Sequence, residues 1–476
     1  MKSLLYALFS AMLILIALPS CISDDISHSS SDRLAFSRDT VSFDTVFTDL
    51  GTPTARLQVF NRNKKGLNIS SIKFRNPDSP FSVNVDGVSG TEFKDVEIRA
   101  NDSIFIFIEC FIPETQDKKP RLVEDQLVFV TNGVEQSVTV EAWGRNVIRL
   151  RNLTVTDRMT LTAETPYVIF DSLRVAPGAT LKIEPGAQLL FHDKASLTVD
   201  GTLDARGKPG NLIDMRGDRL DNVLPDVGYD ILAGQWRGIR IRESSFDNHM
   251  EYVDMRSTEH GLVVDSCAFS PDRVKLTLLN SWLHNSQASA LQSKYARVDA
   301  YGCIFSEAAD AVVSLTGGQH SFIQCTISNY YLYSAISAPL LSLFHCLPDD
   351  VIENDYPLMT ANFDNCIIYG MADCINTPDL EGSNVFLRYV LMKSEGSDDA
   401  NFQHCLWDAD PLFYTVREDY IFDYRLKPDS PAIGAGNPEF VRAPWNIDID
   451  GLNRLADGNP ALGAYVFVAP KEDTEK

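Results

Sequence analysis

The chain has few basic residues for its size. Its 476 residues include 42 Lys and Arg against 65 Asp and Glu, which gives a formal net charge of −23 at pH 7. The phosphates of nucleic acids and the surfaces of anionic membranes repel such a chain. The composition therefore excludes general nucleic-acid binding, but it leaves neutral ligands open.

Motifs of the common enzyme and metalloprotein classes are also missing. The sequence has no Gly-x-Ser-x-Gly elbow, no His-Glu-x-x-His pair and no glycine-rich phosphate loop. His345-Cys346 and His404-Cys405 are adjacent strand residues that point to opposite faces, so neither pair is expected to share a zinc ion. The segment 448–451, Asp-Ile-Asp-Gly, lacks the other ligands of a calcium loop and is read as a turn. We expect no metal and no cofactor.

The N-terminus has the pattern of a secretory signal. Lys2 precedes an apolar stretch over 4–18, which is short for a membrane span of about 20 residues. The following 18–21, Leu-Pro-Ser-Cys, resembles the cleavage site of bacterial lipoproteins, although Pro19 departs from the usual small or aliphatic residue. That resemblance implies removal of residues 1–20 and lipidation of Cys21, since several acyl chains give stable attachment. The alternative is an ordinary signal peptide in which Cys21 is incidental.

The residues after the predicted cleavage point are polar and acidic. Ser23-Asp24-Asp25 resembles the export tags of Gram-negative surface lipoproteins, which implies anchoring in the outer membrane, facing the cell surface. Residues 21–35 are rich in Ser and Asp and are predicted to be a polar tether. At the other end, residues 468–476 are predicted to be a flexible tail.

Residues 36–146 alternate apolar and polar side chains over several short runs. Ala55–Phe60 and Ser103–Glu109 are examples, and Asp86-Gly87 and Asn132-Gly133 supply turns. About seven strands in about 110 residues predict an immunoglobulin-like β-sandwich. The opening of this region also resembles Ig-like domains of the ASH/Hydin type, which implies a scaffold role without chemistry.

Internal repetition begins near residue 147. Pro177-Gly-Ala-Thr-Leu is echoed eight residues later by Pro185-Gly-Ala-Gln-Leu, and short strands with two inward apolar residues continue the series. The predicted inward pairs are Leu181/Ile183, Leu189/Phe191 and Leu197/Val199. Three such strands make a coil of about 20–25 residues, and this period is typical of a solenoid.

A second repeat places a small residue once in each coil. Its positions are Ser281, Cys303, Cys325, Cys366 and Cys405. The steps of 22, 22, 41 and 39 residues are interpreted as one, one, two and two coils, with Cys346 in the same column. We predict a right-handed parallel β-helix over 147–467 with a buried ladder of these residues. A disulfide framework is the alternative, with Cys303–Cys325 or Cys366–Cys374 as pairs.

Two further resemblances support this architecture. Gly234-Gln-Trp-Arg-Gly-Ile resembles a coil common in bacterial parallel β-helix proteins. The segments 429–436, 448–451 and 462–465 resemble the closing region of the same group. The fold class predicted for the whole chain is therefore all-β, a sandwich followed by a solenoid.

Two groups of residues are candidates for ligand binding. Arg240 and Arg242 alternate with isoleucines and should face outward, where they could meet a uronate or sulfate. A solvated ladder compensated by nearby carboxylates is the alternative. Tyr330, Tyr331 and Tyr333 could stack on sugar rings, or fill the core at a corner of a coil.

The sequence leaves two classes of function. The first is a lipid-anchored, non-catalytic envelope protein whose β-helix binds a glycan or another envelope protein. The second is a lyase or hydrolase of acidic polysaccharide. The paired carboxylates of a hydrolase and the calcium cage of a lyase are not recognisable in the sequence, which favours the first.

Overall fold

The computed structural model of the protein describes residues 25–470 except 53, 117–118, 225, 269, 271, 345–359, 377–383 and 457. These residues form β-strands and three short 3-10 helices, and no α-helix occurs among them. None of the helices described has the length or apolar character needed to cross a bilayer. The chain divides into two compact units, 1–146 and 147–476. The predicted all-β class is confirmed.

The first unit consists of two β-sheets packed around one core. Its strands are β1 Ala35–Phe36, β2 Thr40–Phe47, β3 Ala55–Asn61, β4 Leu67–Phe74, β5 Phe81–Val85, β6 Val88–Gly90, β7 Glu92–Phe93, β8 Val96–Ile98, β9 Asp102–Cys110, β10 Arg121–Thr131 and β11 Val134–Arg145. One sheet has the order β1-β3-β9-β5-β6, and the other β2-β11-β10-β4-β7 with β8 beside β4. Alternate residues of both sheets, such as Val59, Ile69 and Phe129, are fully buried. The immunoglobulin-like strand order stays a prediction.

Residues 25–35 are packed against this first unit. Ile26 forms a bridge with Gly66, and the Gln136 side chain bonds both the N–H and the carbonyl of Leu34, each at 3.0 Å. Leu34 is buried in the core. The described part of the predicted tether therefore differs from a free linker, because an apolar side chain fixes its C-terminal end.

The second unit is a parallel β-helix, as predicted. Its first strands are β12 Ile148–Val155, β13 Arg158–Leu161, β14 Tyr167–Val175, β15 Thr180–Ile183, β16 Gln188–Phe191, β17 Ser196–Val199, β18 Thr202–Arg206, β19 Ile213–Gly217, β20 Asn222–Leu224, β21 Val227–Gly228, β22 Gly238–Ile241, β23 Asn248–Glu251, β24 Val253–Thr258, β25 Leu262–Val264, β26 Leu276–Leu279 and β27 Trp282–Ser286. The later strands are β28 Leu291–Lys294, β29 Arg297–Tyr301, β30 Ile304–Ala308, β31 Val313–Thr316, β32 Gln319–Ile323, β33 Thr326–Asn329, β34 Leu341–Phe344, β35 Thr360–Asp364, β36 Ile367–Gly370, β37 Asn384–Arg388, β38 Leu391–Met392, β39 Phe402–Gln403, β40 Phe413–Val416 and β41 Phe422–Leu426. The 3-10 helices are Tyr229–Ile231, Glu418–Tyr420 and Pro438–Phe440.

The strands stack into three faces. Face A contains β17, β22, β25, β28, β31 and β34; face B contains β13, β15, β18, β23, β26, β29, β32, β35, β37 and β39; face C contains β16, β19, β24, β27, β30, β33, β36 and β38. The long strand β14 begins faces A and C, because β16 pairs with its first half and β17 with its second. All six predicted inward residues of the first coils are fully buried. The solenoid interior is therefore the core that the repeat predicts.

The small-residue ladder lies at the corner between faces B and C. The Cys303 and Cys325 thiols and the Ser281 hydroxyl each donate to the carbonyl two residues earlier, at 3.4, 3.4 and 2.8 Å. Cys366 repeats this bond. The seven described cysteines are free, so neither predicted disulfide pair forms. Small donors suit this corner because each satisfies a carbonyl that the turn exposes.

The coil count of the ladder differs from the prediction. Thr326 pairs directly with Ile367, so the step from Cys325 to Cys366 is one coil with a long insertion. Cys346 lies in that insertion, outside the described residues. Ile367 pairs with Leu391, and Leu391 in turn forms a bridge with Leu406. Val390 therefore takes the ladder position between Cys366 and Cys405. Chain length misled the interpretation because loops between strands add residues without adding a rung.

The C-terminal segment lies along the outside of face C. Its apolar side chains, including Phe413, Tyr424 and Leu462, pack on outward residues of the coils such as Ile304 and Ile367. The buried Arg454 guanidinium donates to Gln324 and to the carbonyls of Gly463 and Ala464. This segment therefore covers the later coils and leaves the middle of face C open.

Candidate functional site

A polar surface runs along the outside of face C between residues 214 and 307. Alternation along each strand turns Asp214, Asp254 and His284 outward, while their neighbours Met215, Met255 and Leu283 are buried in the interior. Parallel pairing aligns these coils, since Asp214 pairs with Asp254 and Arg256 pairs with His284. Residues far apart in sequence are thereby placed one strand spacing apart, about 4.8 Å.

A left-handed residue interrupts three successive strands at this surface. Ser257, Asn285 and Glu307 have φ values of 66°, 56° and 44°. Each lies between two register positions, because Arg256 and Thr258 pair with His284 and Ser286, which pair in turn with Ser306 and Ala308. This conformation costs about 1–2 kcal/mol for a residue with a side chain. Strict alternation would place these three side chains in the interior, and the left-handed conformation turns them to the outside of face C instead.

Ser257 and Asn285 use this position to hold one wall. The Ser257 hydroxyl donates to the Asp230 carbonyl, and the Asn285 amide donates to the carbonyls of Asp230 and Ile231 at 2.8 and 2.7 Å. Gln235 donates to the carbonyls of Tyr229 and Leu232. The 3-10 turn Tyr229–Ile231 is thus fixed over the strands, with the Asp230 side chain aimed at them.

Arg256 is the centre of a charge network. Its guanidinium lies 2.8 Å from Asp214, 2.9 Å from Asp230 and 2.7 Å from Asp254. Arg216 reaches Asp230 at 3.1 Å. These side chains are only 12–27% exposed, so water screens the pairs weakly. Both guanidinium groups are therefore occupied by carboxylates of the protein.

The network divides the carboxylates by their pKa. Burial acts to raise the pKa of Asp254, but Arg256 and His284 outweigh it and bring the pKa to about 2. Burial also acts to raise the pKa of Asp230, but the charges of Arg216 and Arg256 outweigh it and lower that pKa. At Asp214 burial prevails and raises the pKa. Asp254 and Asp230 are fixed anions at neutral pH.

His284 is oriented by a carboxylate and an indole. Its Nε2 lies 2.9 Å from Asp254 Oδ1, and its ring stacks on Trp282 at 4.3 Å between centroids. The Trp282 indole N–H donates to the Ser306 hydroxyl at 2.8 Å. Hydrogen bonding of Nε2–H to Asp254 leaves Nδ1 as the acceptor nitrogen of the neutral ring.

Glu307 is a buried carboxyl group beside this histidine. It is 3% exposed, and one carboxyl oxygen accepts the hydrogen bond of the Tyr424 hydroxyl. The other oxygen, Oε2, has no hydrogen-bond partner in the described part of the chain. Burial raises the pKa of Glu307, and it outweighs the nearby Ser306 and Tyr424 hydroxyls and His284, which act to lower that pKa.

Glu307, His284 and Arg256 line one cleft of about 210 Å³. One wall is the 226–231 segment, and the other comes from 331–333 and 419–422. Tyr333 and Tyr420 present rings that are 44% and 43% exposed. We call this the face C cleft; it has a charged floor and an aromatic rim.

The predicted tyrosines divide between the cleft and the packing around it. Tyr331 and Tyr333 line the face C cleft, although Tyr331 is only 5% exposed. Tyr330 packs against the apolar cluster under the C-terminal segment, which is the core-filling alternative. Burial raises the pKa of Tyr333 to about 12, so its hydroxyl stays protonated at neutral pH.

The predicted arginines lie elsewhere, on face A. Arg240 and Arg242 both point outward and share Asp265, at 2.8 and 3.8 Å. They line a groove of about 580 Å³ together with Arg237, Lys294 and the acidic Asp310. We call this the face A groove. One aspartate serves two arginines, so the compensation predicted as the alternative is partial and positive charge prevails.

The remaining motifs have structural roles or cannot be placed. Asp448 accepts the backbone N–H groups of Asp450, Leu452 and Val466, which is a turn. The described residues contain no cluster of three or more His, Cys, Asp or Glu that could hold a metal ion. Cys21 and His345-Cys346 lie outside the described residues.

Sequence inspection missed Asp254, His284, Glu307 and Tyr424. A usable signal existed in the ladder, since His284 and Ser306 each follow their ladder residue by three positions, and Asn285 and Glu307 by four. Tyr424 had no such signal, because it reaches Glu307 from a segment 117 residues away.

The sequence matches no known protein family and no curated protein. Solved structures share partial likeness only. A protein of unknown function from Porphyromonas gingivalis W83 is 13% identical over 27% of this chain and 58% of its own, with a TM-score of 0.19. The ASH/PapD-like domain 7 of human CEP192 is 9% identical over 24% of this chain and 86% of its own, with a TM-score of 0.17. A family 123 glycoside hydrolase from Clostridium perfringens is 10% identical over 25% of this chain and 26% of its own, with a TM-score of 0.17. Likeness of this extent supports no conclusion about function.

Proposed function

We propose that the protein is a lipid-anchored component of a Gram-negative cell envelope that binds a carbohydrate in the face C cleft. The observation that carries this proposal is the pairing of an aromatic rim, Tyr333 and Tyr420, with a floor of fixed polar groups. Sugars need both, since their C–H faces pack on rings and their hydroxyls need hydrogen-bond partners.

The size of the cleft limits what enters it. Its volume of about 210 Å³ is below the range of about 300–1,000 Å³ typical of sites for drug-sized ligands. We therefore expect one sugar residue to occupy the cleft while the rest of the glycan lies on the rim.

The charge of the cleft selects the class of sugar. Asp226, Asp230 and Asp419 line it, and Asp214 and Asp254 lie in the network beneath. Arg216 and Arg256 are the opposing cations there. Excess negative charge repels uronates and sulfates. A neutral or protonated amino sugar fits this cleft, and the acidic polysaccharide expected from the sequence does not.

A glycan array with the full-length protein tests the binding. We expect signal on neutral or amino glycans, and Tyr333→Ala should weaken it about tenfold, which is about 1.4 kcal/mol, because the sugar loses its contact with the aromatic ring. Tyr414→Ala is the matched control, because Tyr414 is 43% exposed and lies outside the cleft. Binding that Tyr333→Ala leaves unchanged would place the ligand elsewhere and refute the assignment.

Membrane attachment is a separate part of the proposal. It is supported by the lipoprotein-like 18–21 segment. Labelling cells with a palmitate analogue should tag the wild type and not Cys21→Ser, and the variant should leave the membrane fraction. Equal labelling of both proteins would refute Cys21 as the attachment point.

The face A groove favours a second ligand of opposite charge. Arg237, Arg240, Arg242 and Lys294 outnumber its two aspartates, Asp265 and Asp310. We propose that it binds an anionic glycan or an acidic envelope partner. Binding to polygalacturonate should fall with salt, and Arg240→Gln/Arg242→Gln should weaken it while leaving the face C ligand bound. Unchanged affinity in the double variant would refute this site.

A further inference from the structure

We infer that the face C cleft also cleaves a glycosidic bond of its sugar, with Glu307 as general acid and His284 as general base. This inference rests on the proposed binding of a carbohydrate in the cleft. It goes beyond binding because the cleft is lined by both a proton donor, Glu307, and a proton acceptor, His284.

The donor is the Glu307 carboxyl group. It is more than nine-tenths buried, it lines the cleft, and its Oε2 has no hydrogen-bond partner among the residues that the structure describes. The Tyr424 hydroxyl holds the other oxygen. An unpartnered oxygen of a buried acid is costly for stability alone, and burial keeps the group protonated to higher pH. These are the properties that a general acid needs.

The acceptor is the His284 imidazole. Asp254 holds Nε2, and Asp254 itself is fixed as an anion by Arg256. An anionic partner stabilises the imidazolium that forms when Nδ1 takes a proton. Among the described residues Nδ1 has no hydrogen-bond partner, and one face of the ring packs on Trp282.

The two groups support hydrolysis by a single displacement. Glu307 gives its proton to the glycosidic oxygen as the bond from that oxygen to the anomeric carbon breaks. His284 Nδ1 takes a proton from a water whose oxygen forms the new bond to that carbon. The imidazolium then returns its proton through solvent to the Glu307 carboxylate, and both groups recover their starting state. Water is the only co-reactant, and the released sugar has the inverted anomeric configuration.

Elimination, as in lyases, is not supported by this cleft. A lyase needs a cation to neutralise a uronate, but Arg256 is already paired with three carboxylates and Arg216 with one. The bond that the cleft can break is therefore that of a neutral or amino sugar.

The test uses the full-length protein in detergent. Its substrates are neutral oligosaccharides of glucose, galactose, mannose and xylose, with chitin and chitosan oligosaccharides, and polygalacturonate as the anionic control. Calorimetry measures binding, and chromatography measures new reducing ends. We expect at least one neutral or amino substrate to be hydrolysed, and Glu307→Gln and His284→Ala each to lower kcat about 100-fold or more while Kd changes less than fivefold.

Matched controls separate chemistry from folding. His249 Nε2 and Glu251 form a similar contact of 3.0 Å on face B, so His249→Ala and Glu251→Gln should leave kcat unchanged. Glu307→Asn, which suits the left-handed backbone, should be as inactive as Glu307→Gln even where it melts like the wild type. Binding in the cleft without turnover by the wild type, or full turnover by Glu307→Gln, overturns the inference and spares the proposed binding. Absence of binding to every glycan refutes the proposed function itself.

Discussion

Trp236 joins the interior of the β-helix to the floor of the face C cleft. Its ring stacks on Phe191 at 3.9 Å between centroids and 8° between planes, and both side chains are fully buried. Its indole N–H donates to the Arg256 carbonyl at 2.8 Å. Replacing Trp236 therefore tests how far this single residue stabilises the coil beneath the charge network.

Two substitutions separate the contributions. Trp236→Phe keeps the stack and removes the donor, which should cost about 1–3 kcal/mol because the Arg256 carbonyl loses a buried partner. Trp236→Ala also removes the ring. We expect about 3–5 kcal/mol from the lost burial and cavity, together with about 0.5–1.5 kcal/mol from the stack.

Urea unfolding followed by circular dichroism measures these changes, with a constant m value as the condition for comparison. Trp445→Phe is the matched control, since Trp445 is 40% exposed and should shift stability by about 0.5 kcal/mol or less. A Trp236→Phe protein as stable as the Trp445→Phe protein would refute the reasoning, because it would mean that the indole hydrogen bond contributes nothing.

Four further predictions concern two titrating groups, the buried thiols and the closing segment. Burial lowers the pKa of His320 to about 4, so the wild type should lose about 3 kcal/mol relative to His320→Gln as pH falls from 6.5 to 4; parallel melting curves would contradict this. Glu307 should have the opposite pH dependence. Because its pKa is raised in the folded protein, the stability that it contributes below pH 4.5 is lost as pH rises through the folded-state pKa. The melting temperature of Glu307→Gln should therefore fall less than that of the wild type over this pH range. Native alkylation followed by mass spectrometry should leave Cys303, Cys325 and Cys366 unmodified, since all three are fully buried. Arg454→Ala should destabilise the protein by about 3–5 kcal/mol, because three buried acceptors lose a charged donor; a change below 1 kcal/mol in urea would count against it.

Local repetition made the solenoid predictable. Pairs such as Leu181/Ile183 and Leu189/Phe191 are buried because each short strand contributes two inward residues, and that pattern is complete within a few residues of sequence. The coil count failed where insertions separate strands, as between Cys325 and Cys366. The spacing of ladder residues in the sequence gives only the number of residues between them. The number of coils depends on which strands pair.

The cleft was harder to predict for two physical reasons. Glu307 should point inward by alternation, and only its left-handed backbone turns it toward His284. Its partner Tyr424 comes from a segment outside the coils. Outward positions such as Arg240 could be predicted from one strand, but the convergence of side chains from several coils and one distant hairpin could not.

The C-terminal segment must be present before the face C cleft can be complete. Each coil packs only against its neighbours, so the coils can form before the C-terminal segment is in place. Tyr424 and Arg454 come late in the chain, yet they bond Glu307 and Gln324, which lie more than a hundred residues earlier. A chain that stops before residue 424 has the stacked strands and lacks the group that holds the buried acid. Assembly of the cleft is thereby tied to completion of the polypeptide.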